Sequence, residues 1–170
     1  GFFTPVARRL TKYRFNGLSH RGRTTAVSQL MTHYRDTRIR VLISGFSQNI
    51  ANYMNETFNL YGFRATANSH LEFLRGTNEE DILLIIISNS GDTQRLVELA
   101  EIAQKHQMAL IAFVGDKKSK VGDLATLTIS TNTYSPKILQ SFTPNFFFGT
   151  VLNQFELLLN GALKNLYEAP

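Results

Sequence analysis

The sequence predicts a doubly wound α/β protein, a three-layer α/β/α sandwich built around a five-stranded parallel sheet. Three observations carry this. The run Asp81–Ile87 (DILLIII) is apolar at every position after Asp81 instead of alternating, as a strand covered on both faces must be. From position 40 onward, strand-like runs alternate with helix-like segments across short connections, the sequence form of parallel strands joined by helical crossovers. Of 170 residues, 43% are apolar and 18% charged, which supplies a sizeable core and excludes a disordered chain.

The elements follow in order. Arg40–Ser44 (RVLIS) is a first strand ended by Gly45. Asn49–Tyr61 places Ile50, Tyr53, Met54, Thr57, Phe58 and Tyr61 at helical spacing, and Gly62 ends that helix as a C-terminal cap. Phe63–Ala67 reads as a second strand, followed by a short helix around Leu71–Arg75. After the third strand, Asp81–Ile87, the segment Gln94–His106 carries one buried stripe of Leu96, Val97, Leu99, Ala100, Ile102 and Ala103. Met108–Val114 is a fourth, buried strand and Ala125–Ser130 a weaker fifth. From Tyr134 an irregular stretch leads to a long helix over Pro144–Leu166, with Pro144 in the first turn, where it costs no helical hydrogen bond. Its Phe146, Phe147, Phe148, Val151, Leu152, Phe155, Leu158 and Leu159 form a face wider than a monomer usually needs. That width fits a homodimer or a dimer of dimers, or else packing on the sheet.

Composition removes several function classes. The chain has no cysteine, so disulfides, thiolate zinc sites and cysteine nucleophiles are out, and a reducing, cytoplasmic setting is expected. No apolar run approaches the ~20 residues that span a bilayer. The four histidines are scattered without metal-ligand spacing, and no metal or cofactor is expected. A lysine-bearing phosphate loop, a dinucleotide fingerprint and a serine elbow are all lacking. The chain opens on glycine with no leader pattern, which suggests a cut or processed product.

The net charge of +5 is two opposite numbers. Residues 1–40 hold nine basic residues against Asp36 alone, whereas from 41 onward nine basic face twelve acidic residues. A basic segment, 1–38, is therefore expected to precede a mildly acidic globular domain, 39–170, and to face a polyanion or serve as a linker.

In an open parallel sheet, ligands bind beyond the carboxyl ends of the strands. Two loops there are small and polar: Gly45-Phe46-Ser47-Gln48-Asn49 after the first strand, and Ser88-Asn89-Ser90-Gly91-Asp92-Thr93 after the third. Hydroxyls and free backbone N–H groups at helix N-termini suit an anion. Neither loop contains lysine or arginine, so neutral donors would carry the affinity, which fits a sugar phosphomonoester better than a nucleoside triphosphate. The alternative makes these ordinary turn and cap residues.

These motifs also resemble a known family. Arg40–Ser130 is similar to the sugar isomerase (SIS) domain, most specifically in Ser88-Asn89-Ser90-Gly91-Asp92-Thr93, which matches that family's S-x-S-G-[ED]-T signature. Gly45-Phe46-Ser47 resembles its first Gly-x-Ser loop, and Ser119–Ala125 its following turn in degenerate form. The resemblance implies a flavodoxin-like SIS fold. It implies that Ser47, Ser88, Ser90 and Thr93 donate to the phosphate of a phosphosugar, with Gly45, Gln48, Asn89 and Gly91 lining the site. His70, Glu72 and Ser141 are the candidate sugar contacts. Thr4–Ser19 is similar to the end of the helix-turn-helix in RpiR-type transcription regulators, with Arg14-Phe15-Asn16-Gly17-Leu18 at the turn after the recognition helix. The implied role is a phosphosugar-sensing effector domain without enzymatic activity, belonging to a DNA-binding regulator of carbohydrate metabolism. DNA would be reached through a helix-turn-helix of which 1–38 is a remnant. The alternative is an aldose-ketose phosphosugar isomerase. Against it, no acid occurs between Leu124 and Phe155, which leaves Glu56, Glu72 or Asp92 to act as a base.

Overall fold

The computed structural model describes residues 20–34, 38–43, 48–67, 82–135 and 144–168. In chain order these form α1 (His20–Tyr34), β1 (Arg38–Ile43), α2 (Gln48–Leu60), β2 (Arg64–Ala67), β3 (Ile82–Ser88), α3 (Gln94–Lys105), β4 (Ala109–Val114), α4 (Lys120–Leu124), β5 (Leu127–Ser130) and α5 (Phe147–Glu168). The strands are parallel and lie in the order β2-β1-β3-β4-β5. The fold is thus α/β with a parallel sheet.

The unbroken apolar run of β3 has a direct structural cause. All seven of its residues are buried. Leu83, Ile85 and Ile87 enter a core with α1, α2 and α5, while Ile82, Leu84 and Ile86 enter a second core with α3 and α4. A strand's side chains alternate between faces, so a strand with helices on both sides must be apolar throughout. Each fully buried Leu or Ile contributes about 1.5–3 kcal/mol, which makes this strand the densest source of stability in the sheet.

Helix α1 changes the reading of the basic N-terminal quarter. Val27, Leu30, Met31 and Tyr34 repeat at helical spacing and are buried, together with Ala26, in the same core as α5. Gly161 of α5 lets the two helices approach, because a Cβ there would come within 2.6 Å of Thr24 Cγ2. Asn165 Nδ2 donates to Ser28 Oγ at 3.0 Å across the same contact. A boundary between residues 38 and 39 would therefore cut this helix away from the core it completes.

Other boundaries move for local reasons. Helix α5 starts at Phe147, whose N–H donates to Asn145 Oδ1 at 3.0 Å, so an asparagine opens it and Pro144 lies outside. Of the eight apolar residues on that helix face, Phe147, Val151, Phe155, Leu158 and Leu159 are buried within the domain. Packing on the sheet thus accounts for most of the face's width, and Phe146 at 64% exposure is the member left in solvent. Helix α2 ends as Gly62 turns to a φ of +86°, a conformation open to glycine at little cost. The short helix expected around Leu71–Arg75 lies outside the described residues.

Candidate functional site

The strand order reverses direction between β1 and β3. The chain first moves outward from β1 to β2, then crosses back to β3 and proceeds through β4 to β5. Helices from the two halves leave the sheet on opposite faces at that point, which opens a crevice beyond the strand carboxyl ends. Those ends are flush, since Ile43 of β1 is in register with Ile87 of β3. The loop Ser88–Thr93 emerges there and leads into α3.

Its geometry is fixed by hydrogen bonds that begin inside the loop. The buried Ser88 accepts the Gly91 N–H on its Oγ at 3.0 Å, and Ser90 Oγ accepts the Asp92 N–H at 3.2 Å. Gly91 adopts a φ of +66°, in the left-handed region. Three bonds then tie the loop to the next strand–helix connection. Asn89 O accepts from Gly115 N–H at 2.9 Å, Gly91 O accepts from Val121 N–H at 2.9 Å, and Asp92 Oδ1 accepts from Lys120 N–H at 3.0 Å. Asp92 therefore joins two loops, instead of capping the helix that follows it.

At the end of this loop, the N–H groups of Leu96 and Val97 both close onto the Thr93 carbonyl, at 2.9 and 3.0 Å. Helix geometry leaves Gln94 and Arg95 N–H without acceptors inside the helix. The Thr93 side chain is exposed and makes no capping bond. Ser90, half-buried, accepts one bond and retains its own proton to donate. Donors held rigidly at the positive end of a helix form a surface suited to an anion.

The residues expected at the site divide into three groups. Ser88, Asn89, Ser90, Gly91 and Thr93 come together in one loop, but with different surroundings: the Ser88 and Ser90 hydroxyls both accept within the loop, Ser88 being buried and Ser90 half-buried, whereas Thr93 is exposed. Gln48 opens α2, and its Nε2 donates to Asn52 Oδ1 at 3.1 Å within its own helix. Gly45, Ser47, His70, Glu72 and Ser141 lie outside the described residues. Asn89 Oδ1 is buried without a partner.

Sequence reasoning missed the groups that brace the loop. Ser119 caps α4 by accepting the Gly122 N–H at 3.2 Å, and it also packs against Gly91. Gly115 carries the loop's second contact, since a Cβ there would meet Asn89 O at 2.6 Å and Tyr134 Cβ at 2.7 Å. The signal was present in Ser119–Ala125, a polar turn with a capping serine, but nothing in its spacing says which loop it supports. Among the described residues no group of acids and histidines is placed to hold a metal ion. No described helix is long and apolar enough to cross a membrane.

Comparison with known proteins agrees with this architecture. The family model described as SIS domain matches residues 34–154. No curated protein matches the sequence. Among solved structures, a Methanococcus jannaschii protein, for which a 3-hexulose-6-phosphate isomerase function was inferred, is 22% identical with a TM-score of 0.69, covering 95% of this chain and 86% of its own. The sugar isomerase domain of an RpiR transcription factor from Sphaerobacter thermophilus is 16% identical with a TM-score of 0.65, covering 95% and 90%. The Vibrio vulnificus NanR protein, complexed with ManNAc-6P, is 15% identical with a TM-score of 0.67 over 88% of this chain. This chain spans 56% of that protein's length. At these identities the likenesses establish the fold alone.

Proposed function

Because the chain belongs to the SIS-domain family, we propose that it is the phosphosugar-binding effector domain of an RpiR-type transcription regulator, and that the loop Ser88–Thr93 holds the ligand's phosphate. The observation that carries this is the loop's rigidity at the β1/β3 crevice. Its donors are fixed by bonds to Gly115, Val121 and Lys120 before any ligand arrives, so binding orders little that is not already ordered. Ser90 Oγ, Thr93 Oγ1 and the Gln94 and Arg95 N–H groups surround the phosphate. Ser88 and Gly91 shape the loop and Asn89 lines it. Gly45, Ser47 and Gln48 complete the site from the opposite loop, and His70, Glu72 and Ser141 contact the sugar. The doubly wound, flavodoxin-like form of the fold belongs to the same reading and is supported by the strand order.

Proteins on this fold include the Sphaerobacter RpiR transcription factor and NanR, complexed with ManNAc-6P. In this reading the basic residues before α1 lead to a helix-turn-helix, and a cytoplasmic homodimer or dimer of dimers carries the response to DNA. In this reading α1 packs with the SIS core, and the DNA-linked segment precedes it. Ligand changes DNA affinity only to the extent that it binds two arrangements of the dimer unequally.

A second reading is a phosphosugar isomerase, the function inferred for the Methanococcus protein that shares this fold. Of the three acids that could act as a base, Asp92 is engaged with Lys120 N–H, Glu56 lies exposed on α2, and Glu72 lies outside the described residues. A thermal-shift screen with hexose and amino-sugar phosphates tests the proposal. Stabilisation without turnover is expected; turnover of a stabilising sugar phosphate would favour the isomerase, and no stabilisation by any would remove both readings.

A further inference from the structure

A cluster of basic side chains lies at the outer edge of the sheet, on residues that the strand-end loop does not use. Beside β5, a cavity of about 400 Å³ is lined by Arg23 of α1, Lys117 and Lys118 of the β4–α4 turn, Asp123 of α4, and Thr128, Ser130 and Asn132. Three cations therefore surround one acid. No ion pair forms among these described residues, although Asp123 lines the same space.

The cavity's polar wall is organised. Thr128 is buried and its Oγ1 donates to Gly122 O at 2.6 Å, tying β5 to α4, the helix that carries Asp123. Lys118 N–H donates to Asp116 Oδ1 at 3.0 Å, which holds the lysine backbone while leaving both ammonium groups uncommitted. Asn132 takes a φ of +54°, a left-handed conformation that asparagine tolerates and that costs other side chains more. Its Oδ1 accepts from Ser130 Oγ at 2.9 Å and its own N–H donates to that same hydroxyl at 3.2 Å. The hydroxyl satisfies the amide oxygen, so the two Nδ2 hydrogens are the polar groups of Asn132 that remain for a ligand. Backbone held off its ordinary conformation, at the mouth of a cationic cavity, is the kind of local strain that binding sites retain.

We infer that this cavity is a binding site for a small polyanion carrying two phosphates or their equivalent, with Arg23, Lys117 and Lys118 as its charge partners and the Asn132 side-chain amide as its neutral donor. The arrangement differs in kind from the strand-end loop. There, neutral donors suit a single phosphomonoester; here, three mobile cations suit a denser charge that compensates Asp123 as well. Its limited volume and hydroxyl lining favour a small molecule over duplex DNA, which needs an open basic surface.

Calorimetric titration of the intact chain with inorganic pyrophosphate tests this. Saturable binding is expected, weakened about tenfold or more in the Lys117→Ala/Lys118→Ala double variant and reduced by added salt. Both lysines are exposed, so the variant keeps the core. Binding should be unchanged in Ser90→Ala, which separates this cavity from the phosphosugar loop whatever that loop binds. Absence of pyrophosphate binding, binding indifferent to the two lysines, or loss on Ser90→Ala would each overturn the inference. So would tight binding of duplex DNA that depends on the same lysines and is not displaced by pyrophosphate.

Discussion

Gly91 packs directly against Ser119: at its φ of +66° a Cβ would overlap both the Cβ and the Oγ of that serine. The contact joins the strand-end loop to the cap of α4. Both atoms belong to groups already fixed, Gly91 by its bonds to Ser88 and Val121, and Ser119 by its bond from Gly122. Neither can yield without breaking a hydrogen bond.

Gly91→Ala is therefore expected to destabilise the domain by about 2 kcal/mol or more, combining a left-handed backbone with a buried overlap. Gly149 supplies the contrast. It lies in the first turn of α5 with nothing within 4 Å of the Cβ position, and Gly149→Ala should stabilise by about 0.5–1 kcal/mol through backbone entropy alone. Denaturant unfolding of the two variants should give opposite signs; the same sign for both would refute the assignment of Gly91's role.

Helix α1 offers a test of where the domain begins. Leu30 is fully buried between α1 and the core, so Leu30→Ala should cost about 2–5 kcal/mol in urea unfolding. A helix belonging to a detachable linker would lose almost nothing.

The sequence was most legible where a single physical cause acts. The double burial of β3 produced its apolar run, and Gly62 marked the end of α2. The S-x-S-G-D-T loop carried its family resemblance openly. Reading failed where two signals competed. In and around α1, Arg21, Arg23, Arg35 and Arg38 drew attention to charge, while Val27, Leu30, Met31 and Tyr34 spelled out a buried stripe. Pro144 fits a first-turn position, yet Asn145, whose Oδ1 accepts the Phe147 N–H, sets the start of α5. The braces Gly115 and Ser119 could not be found from spacing, because their partners are 26 and 28 residues earlier in the chain.

Tyr53 on α2 donates its hydroxyl to Glu156 Oε1 of α5 at 2.6 Å and packs edge-on against Phe155. That bond, aided by burial and by the carboxylate's charge, raises the phenol's pKa above its ordinary value. A raised folded-state pKa means that the bond's contribution is complete below the ordinary tyrosine range and is lost as pH rises through the folded value. Tyr53→Phe should therefore lower stability by less than about 1 kcal/mol at neutral pH, given the pair's exposure, with the deficit disappearing at alkaline pH. Thermal unfolding of both proteins across that range checks it; a deficit that stays constant would show that lost packing, not the hydrogen bond, is responsible.

The account's central claim is that the Ser88–Thr93 loop and the first turn of α3 hold a sugar phosphate. Backbone amide NMR during titration with N-acetylmannosamine 6-phosphate and other hexose phosphates reads it directly. With a sugar phosphate that binds, the account predicts saturable shifts at the Gly91, Thr93, Gln94 and Arg95 amides, with affinity falling about tenfold in Ser90→Ala while the fold is retained. Saturable binding that leaves those four amides unmoved, or that is indifferent to Ser90→Ala, would contradict it.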